Sequence, residues 1–177
     1  MGNNTTAQEN VAMGYQALYT QAYNNSNNTW NSYNFAVGNK SLYNNNASTS
    51  TSEGVKNTAL GYQAGLTITT GSQNTCIGYD ADASATLTNA TAIGANAIVS
   101  ASNSLVLGGT GASAVKVGIG TTSPQGALDV TSTTGALIVP RMTTAQRDAL
   151  TAVNGMIIYN TTTNQFNFYE NGAWVLK

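Results

Sequence analysis

The sequence predicts a mainly β protein built from stacked repeats, and three observations predict it. A short phrase ending in glycine returns six times, and a small residue stands three positions after each of these glycines. Only 7% of the residues are charged, against about 25% in a typical globular protein. Asn, Thr, Ser, Gly and Ala supply the polarity instead. A short unit that recurs in this way is one coil of a stacked architecture, so we expect an elongated rod.

The six copies occupy residues 10–14, 34–38, 57–61, 74–78, 90–94 and 104–108. Each copy gives extended residues followed by a glycine, which turns the chain with positive φ at no steric cost. Strand alternation predicts a bulky face (Met13, Val37, Leu60, Ile77, Ile93, Leu107) and a small face (Ala12, Ala36, Ala59, Cys76, Ala92). Since both faces are non-polar, we expect one to lie inside the coil and the other against a neighbouring chain. The sequence leaves open which does which.

The first two repeat units are longer than the others, and their extra length lies in residues 19–33 and 43–56. Such insertions are expected to project as loops from one edge of the stack. They carry five aromatic residues: Tyr19, Tyr23, Trp30, Tyr33 and Tyr43. Rings among Asn and Ser are typical of recognition surfaces, so these five are candidate receptor contacts, with a host glycan as the ligand. Packing of the rings onto their own or a neighbouring coil is the alternative, and we favour it because aromatic rings dominate core and interface packing.

The phrase Asn-Thr-Ala-Leu-Gly-Tyr-Gln-Ala at residues 57–64, with its close copy at 10–17, resembles the repeats of trimeric autotransporter adhesin heads and of bacteriophage and other viral fibre shafts. The resemblance covers roughly residues 10–117. It implies a left-handed parallel β-roll, or solenoid, in an intertwined or side-by-side homotrimer. We therefore expect residues 1–117 to form β-roll repeats with two long insertion loops.

After the repeats, residues 118–139 are predicted to form a connector and residues 140–177 a small α+β cap. Thr143 and Gln146 form a capping box before a short helix at 145–150. Apolar runs at 156–160, 165–169 and 173–176 predict antiparallel strands, the last two joined by an Asn171-Gly172 turn. The phrases at 140–144 and 172–175 resemble the segment that closes many viral fibre proteins.

About 40 residues make a poor independent core, so the cap is expected to need oligomerisation. We expect it to be a trimerising cap that sets the register of the chains. The side chains predicted to pack there are Ile157, Tyr159, Phe166, Phe168 and Trp174.

Composition excludes several kinds of chemistry. The chain has no histidine, and its formal net charge of -1 gives no basic surface for nucleic acid. It has no apolar run of membrane-spanning length, so no membrane insertion is expected. Asp80 and Asp82 are a candidate metal pair, but two oxygen donors fall short of the six to eight that calcium takes. We therefore expect no metal, no cofactor and no enzymatic activity.

The sequence thus predicts a structural and attachment segment of a trimeric viral (phage) fibre, located on the virion surface. Its expected partners are its own copies, other fibre or virion proteins, and a host-surface glycan. The head of a bacterial trimeric autotransporter adhesin, on a bacterial cell surface, is the first alternative. An ice-binding or glycan-processing β-solenoid is the second. Met1 begins in mid-repeat, and the sequence leaves open whether the chain is a fragment of a longer protein.

Overall fold

A computed structural model describes residues 6–23 and 25–176 of the chain. The protein is mainly β with parallel sheets, and its contacts divide it into two compact units. The first comprises Met1–Val117 with Pro124–Leu128, and the second comprises Gly118–Ser123 with Asp129–Lys177. Each unit is described by itself.

The strands and helices are short, as expected for a sequence whose repeats each end in glycine. In chain order they are β1 (Ala7–Gln8), β2 (Val11–Met13), β3 (Trp30–Asn31), β4 (Phe35–Val37), β5 (Thr58–Leu60), β6 (Thr75–Ile77), β7 (Asp82–Ala83), β8 (Thr91–Ile93), β9 (Ile98–Val99), β10 (Leu105–Leu107), a 3₁₀ turn (Gly111–Ser113), β11 (Val117–Ile119), β12 (Leu128–Val130), β13 (Arg141–Met142), α1 (Thr144–Asp148), β14 (Ile157–Asn160), β15 (Gln165–Glu170) and β16 (Ala173–Leu176).

The six glycine-ended phrases supply the six strands of one parallel sheet. Its order is β10-β8-β6-β5-β4-β2, so repeats that follow one another in sequence are neighbours in space. The register places equivalent positions side by side, for example Ala36 beside Ala59 and Ala59 beside Cys76. The shorter parallel pairs β1–β3 and β7–β9 form separate two-stranded sheets.

The small face of the repeat sheet is the buried one. Ala36, Ala59 and Cys76 are fully buried and belong to one continuous core. The bulky residues point outward, and Met13 is 64% exposed. The alanine face is therefore the inner one: successive alanines allow close packing inside the repeat, and the large side chains form an exposed apolar row.

The asparagine that opens the phrase has a structural role that the sequence analysis did not identify. Asn34, Asn57 and Asn74 are buried, and each side-chain Oδ1 accepts the backbone N–H of the equivalent residue one repeat later, at 2.9–3.0 Å. Each Nδ2 donates to a backbone carbonyl, as Asn57 does to Gly71 at 2.8 Å. We call these three residues the asparagine column. A carboxamide suits this position because it donates and accepts at the same time.

The glycine that ends the phrase is required twice over. Gly78 has a φ of 136°, which side-chain-bearing residues rarely adopt. A Cβ atom at Gly78 would also lie 2.6 Å from the carbonyl oxygen of Gly94 in the next repeat. The repeats therefore stack backbone against backbone at this corner, where no other residue fits.

A second corner stands directly before the asparagine position. Lys56, Gln73 and Asn89 follow one another there in successive repeats, all with positive φ of 56–61°. Backbone hydrogen bonds join successive repeats here, from the Lys56 N–H to the Ser32 carbonyl and from the Gln73 N–H to the Val55 carbonyl. We call the level that each repeat occupies in the parallel sheet a rung. Turning the chain at this corner therefore orients one exposed side chain per repeat in a common direction.

The two insertions are mostly loops, and part of each packs into a small core of its own. Trp30 and Val55 are buried and pack with Ala7 and Ala47, with Tyr23 beside them. β3, which contains Trp30, also pairs with β1. This packing is favourable because it removes the apolar surface of the indole and the valine from water.

The second unit contains the predicted helix and hairpins. Thr143 accepts the backbone N–H of Gln146, and the Gln146 side chain accepts the backbone N–H of Thr143, so the capping box is confirmed. β14, β15 and β16 form an antiparallel meander, with β13 parallel to β14. Asn171 and Gly172 both have positive φ in the two-residue turn between β15 and β16, as that turn requires.

Candidate functional site

Two of the predicted aromatic contacts stack on each other. The rings of Tyr19 and Tyr43 are parallel within 4°, with centroids 5.4 Å apart, and both side chains are half-buried. The Lys40 ammonium lies 6.0 Å from the centre of the Tyr43 ring. This pair links the equivalent positions of the first two repeats, so much of its ring surface is already used in packing.

Two more of the five pack in the small core under the insertions. Trp30 is only 6% exposed, and its ring meets Tyr23 edge-on at 6.0 Å. The Tyr23 hydroxyl donates to the Thr49 carbonyl at 3.2 Å, which ties the first insertion to the second. The packing alternative therefore describes both residues.

Tyr33 differs from the other four because it is 52% exposed. Its hydroxyl accepts a hydrogen bond from Asn31 Nδ2 at 3.0 Å, which holds the ring in place. Tyr33 lines a groove of about 420 Å³, which we call the loop groove. The groove residues come from both insertions and the third repeat: Asn31, Tyr33, Thr51, Ser52, Val55, Lys56, Ser72 and Gln73.

Glu53 organises the loop beside this groove. Its carboxylate accepts hydrogen bonds from the backbone N–H and the hydroxyl of both Ser48 and Thr49, at 2.8–3.0 Å. These donors favour the charged form and lower the pKa of Glu53 from 4.5 to about 2. The carboxylate thereby fastens its own loop, and Glu53 is not among the residues that line the groove.

A row of exposed tyrosines was missed in the sequence analysis. Tyr15, Tyr62 and Tyr79 each follow the glycine of the phrase, and all three are exposed. Tyr62 and Tyr79 stack with ring centres 5.3 Å apart. The Asp80 carboxylate raises the pKa of Tyr79. The repeated Gly-Tyr-x-Ala phrase was the available signal for this row.

The two residues of the candidate acidic pair lie in different local structures. Asp82 lies on β7, whereas Asp80 stands outside that strand, at a corner with φ of 50°. The Asp82 carboxylate accepts hydrogen bonds from the Thr67 backbone and hydroxyl, and burial raises its pKa. Among residues 6–23 and 25–176, no three His, Cys, Asp or Glu side chains gather where they could hold a metal ion.

Four of the five predicted cap residues share one face of the C-terminal sheet. Tyr159 lies opposite Phe166, and Ile157 lies opposite Phe168. Residues directly opposite each other in a sheet point to the same side. We call these four side chains the cap face. Ile157 and Phe166 are 44% and 45% exposed.

A cavity of about 250 Å³ opens beside this face. It is bounded by Leu137, Ile138, Val139, Arg141, Tyr159 and Phe166. Leu137 and Ile138 are themselves largely exposed. The second unit thus leaves most of its large apolar side chains uncovered in a single chain.

Trp174, the fifth predicted cap residue, lies on the opposite face. It pairs with Tyr169, and the Arg147 guanidinium lies 5.6 Å from the centre of its ring. Arg147 also donates to the Asn167 Oδ1 atom at 2.7 Å, within a buried amide network that includes Asn160. The alternation of strand residues separates Trp174 from the other four, which the sequence analysis treated as one cluster.

Residues 118–177 match the family described as the phage tail like trimerisation region. This match covers the last third of the chain. It supports a phage tail-fibre-like, virion-associated protein with a structural role and self-association into a trimer. No curated protein and no solved structure matches the chain. In the described part of the chain, no helix has the length and apolar character to cross a membrane.

Proposed function

We propose that this chain is a non-enzymatic structural and attachment segment of a trimeric phage tail fibre. The observation that carries the proposal is the uncovered cap face, which lies inside the segment matched to a trimerisation region. Isolated soluble chains rarely leave contiguous apolar surface of this kind facing water. Copies of the chain would cover it in the proposed trimer.

The proposal extends to the repeats as a left-handed β-roll whose exposed apolar row meets a neighbouring chain. Support comes from the parallel, in-register strands and from the outward position of Met13, Leu60 and Leu107. Closed assembly around a common axis is the usual arrangement of homotrimers. The same contact would shield side chains that a lone chain leaves in water.

For attachment, we propose that the fibre meets the host surface through the insertions of the first two repeats. Tyr33 supports this part of the proposal because it alone of the five predicted aromatic contacts is more than half exposed. The family match favours the phage fibre over a bacterial adhesin head, since its description names a phage tail.

Native mass spectrometry of the full chain, with a pair of variants on one strand, tests the assembly. Phe166→Lys puts a charge on the cap face, whereas Gln165→Lys puts the same charge on the neighbouring exposed position of the opposite face. We expect a trimer for the wild type and for Gln165→Lys. Phe166→Lys should shift the population toward single chains, because a lysine in an apolar interface is costly unless it is paired.

A folded wild-type protein with a mass of 18.3 kDa in native buffer would overturn the proposal. Equal dissociation of the two variants would show that the cap face is not the interface. Circular dichroism of each sample separates dissociation from unfolding.

A further inference from the structure

We propose that the loop groove binds an acidic saccharide. The inference rests on the proposed attachment role and gives it a site and a ligand class. The groove combines one exposed aromatic ring, one lysine, and amide and hydroxyl groups from three segments of the chain. Each part has a separate physical argument.

The groove follows the corner before the asparagine position. Tyr33, Lys56 and Gln73 occupy successive rungs there, all with φ of 52–61°. Neighbouring rungs of a parallel sheet are about 4.8 Å apart. Three side chains at this spacing form a linear array about as long as two sugar rings. One sugar ring is therefore long enough to reach two neighbouring side chains of the array.

The floor and wall of the groove are fixed before any ligand arrives. Val55 is buried in the core that also holds Trp30, and its backbone N–H donates to Ser72 Oγ at 3.2 Å. The same hydroxyl donates to the Ser52 carbonyl at 3.1 Å. In the same loop, Glu53 accepts four hydrogen bonds from Ser48 and Thr49. A preformed site loses little conformational entropy on binding.

Tyr33 provides the surface on which a sugar ring can stack. Half of the side chain is exposed, yet the Asn31 amide holds its hydroxyl. A held aromatic ring gives a large, amphipathic contact area at low entropic cost. Gln73 and Ser52, both exposed, are positioned to exchange hydrogen bonds with sugar hydroxyls along the same groove.

Charge selects the acidic class of saccharide. Lys56 is exposed in the groove, and no ion pair joins it to a described carboxylate. The Glu53 carboxylate is turned toward Ser48 and Thr49. The next rung beyond Tyr33 is Glu9, outside the groove lining. An unpaired ammonium beside a stacking ring favours a sugar that carries a carboxylate.

The test is saturation-transfer difference NMR on the full chain, which reads weak binding from the ligand signals. The probes are sodium galacturonate, glucuronate and N-acetylneuraminate, with galactose and glucose as neutral counterparts. We expect saturation transfer from the protein to the proton signals of at least one acidic sugar, and weaker transfer to the neutral sugars. Added salt should weaken the acidic contact, since it screens an exposed charge pair.

Two groove variants have matched controls elsewhere on the repeats. Lys56→Gln should raise the Kd for the acidic sugar about tenfold, because it removes one charge-assisted contact. Lys40→Gln changes a lysine at an equally left-handed position, with φ of 56°, outside the groove. Tyr33→Asn should raise the Kd about fivefold, whereas Tyr15→Asn removes another exposed tyrosine and should leave it unchanged.

Absence of saturation for all three acidic sugars overturns the inference. Equal losses in Lys56→Gln and Lys40→Gln also overturn it, because they indicate unspecific attraction. Native mass spectrometry of the same samples separates the two proposals. Trimers that bind no sugar refute the groove alone, whereas single chains that still bind refute the fibre assembly alone.

Discussion

Asn57 occupies the middle of the asparagine column, and its replacement by alanine is the sharpest test of how the repeats are held together. The side chain is fully buried. Its Oδ1 atom accepts the backbone N–H of Asn74 at 2.9 Å, and its Nδ2 atom donates to the Gly71 carbonyl at 2.8 Å. Asn57→Ala removes both bonds, while the backbone N–H of Asn57 keeps its own bond to Asn34.

The expected loss follows from the two groups that are left behind. A buried donor or acceptor without a partner costs about 1–3 kcal/mol. The Asn74 N–H and the Gly71 carbonyl together therefore give a loss of about 2–6 kcal/mol per chain. For a protein of this size, that free energy corresponds to a fall in Tm of roughly 5–20 °C.

Thermal unfolding followed by circular dichroism, at equal protein concentrations, measures the effect. Asn44→Ala is the matched control, because Asn44 is half-buried and makes a single side-chain bond, to the Leu66 carbonyl at 2.9 Å. Its loss should be about 0.5–1.5 kcal/mol. If the two variants have the same Tm, the asparagine column does not stabilise the stack and the reasoning fails.

Three further predictions concern single positions. Gly78→Ala should lower the free energy of unfolding by at least about 2 kcal/mol, because the alanine would have to adopt a φ of 136° and its Cβ would meet the Gly94 carbonyl. Gly126→Ala, in open surroundings, is the control and should be nearly neutral in the same thermal assay. The hydrogen bonds from Ser48 and Thr49 lower the pKa of Glu53 from 4.5 to about 2, so the carboxylate stabilises the loop fully above pH 4.5. This stabilisation is lost as the pH falls through about 2. A carboxyl NMR titration of Glu53 with a midpoint near 4.5 would contradict the prediction. Burial raises the pKa of Cys76 to about 12, so its thiol should react with Ellman's reagent about a thousandfold more slowly in the folded protein than in guanidinium.

Local sequence signals predicted the parts of this fold that local interactions determine. The Thr143–Gln146 capping box and the Asn171-Gly172 turn need only a few neighbouring residues, and both appear as predicted. The six glycine-ended phrases likewise predicted six equivalent strands. In each case the residue types at fixed spacing determine the backbone conformation.

The parts that the sequence did not predict depend on contacts between distant segments. Alternation marked two non-polar faces, but only the packing of one repeat on the next makes the alanine face the inner one. Trp30 could not be assigned to a core, because Val55 and Ala7, its partners there, come from other repeats. The loop groove depends on the same long-range assembly, since Tyr33 and Gln73 are forty residues apart in sequence.

The two apolar surfaces of the chain differ in what they can specify in the proposed trimer. The outward row of the repeats presents similar side chains at each rung, such as Leu60, Ile77 and Ile93. A shift of one chain by a whole rung would therefore exchange one aliphatic contact for another at little cost. The cap face contains a single arrangement of Tyr159 and Phe166, whose rings meet edge-on at 5.4 Å, and no shifted copy of it exists in the described chain. A surface without translational repetition can distinguish one register from the next, as distinctive core layers do in designed bundles.

Removal of the chain beyond about Gly135 should then leave repeats that associate without a fixed register, and heat-resistant trimers of this truncated protein would contradict the argument.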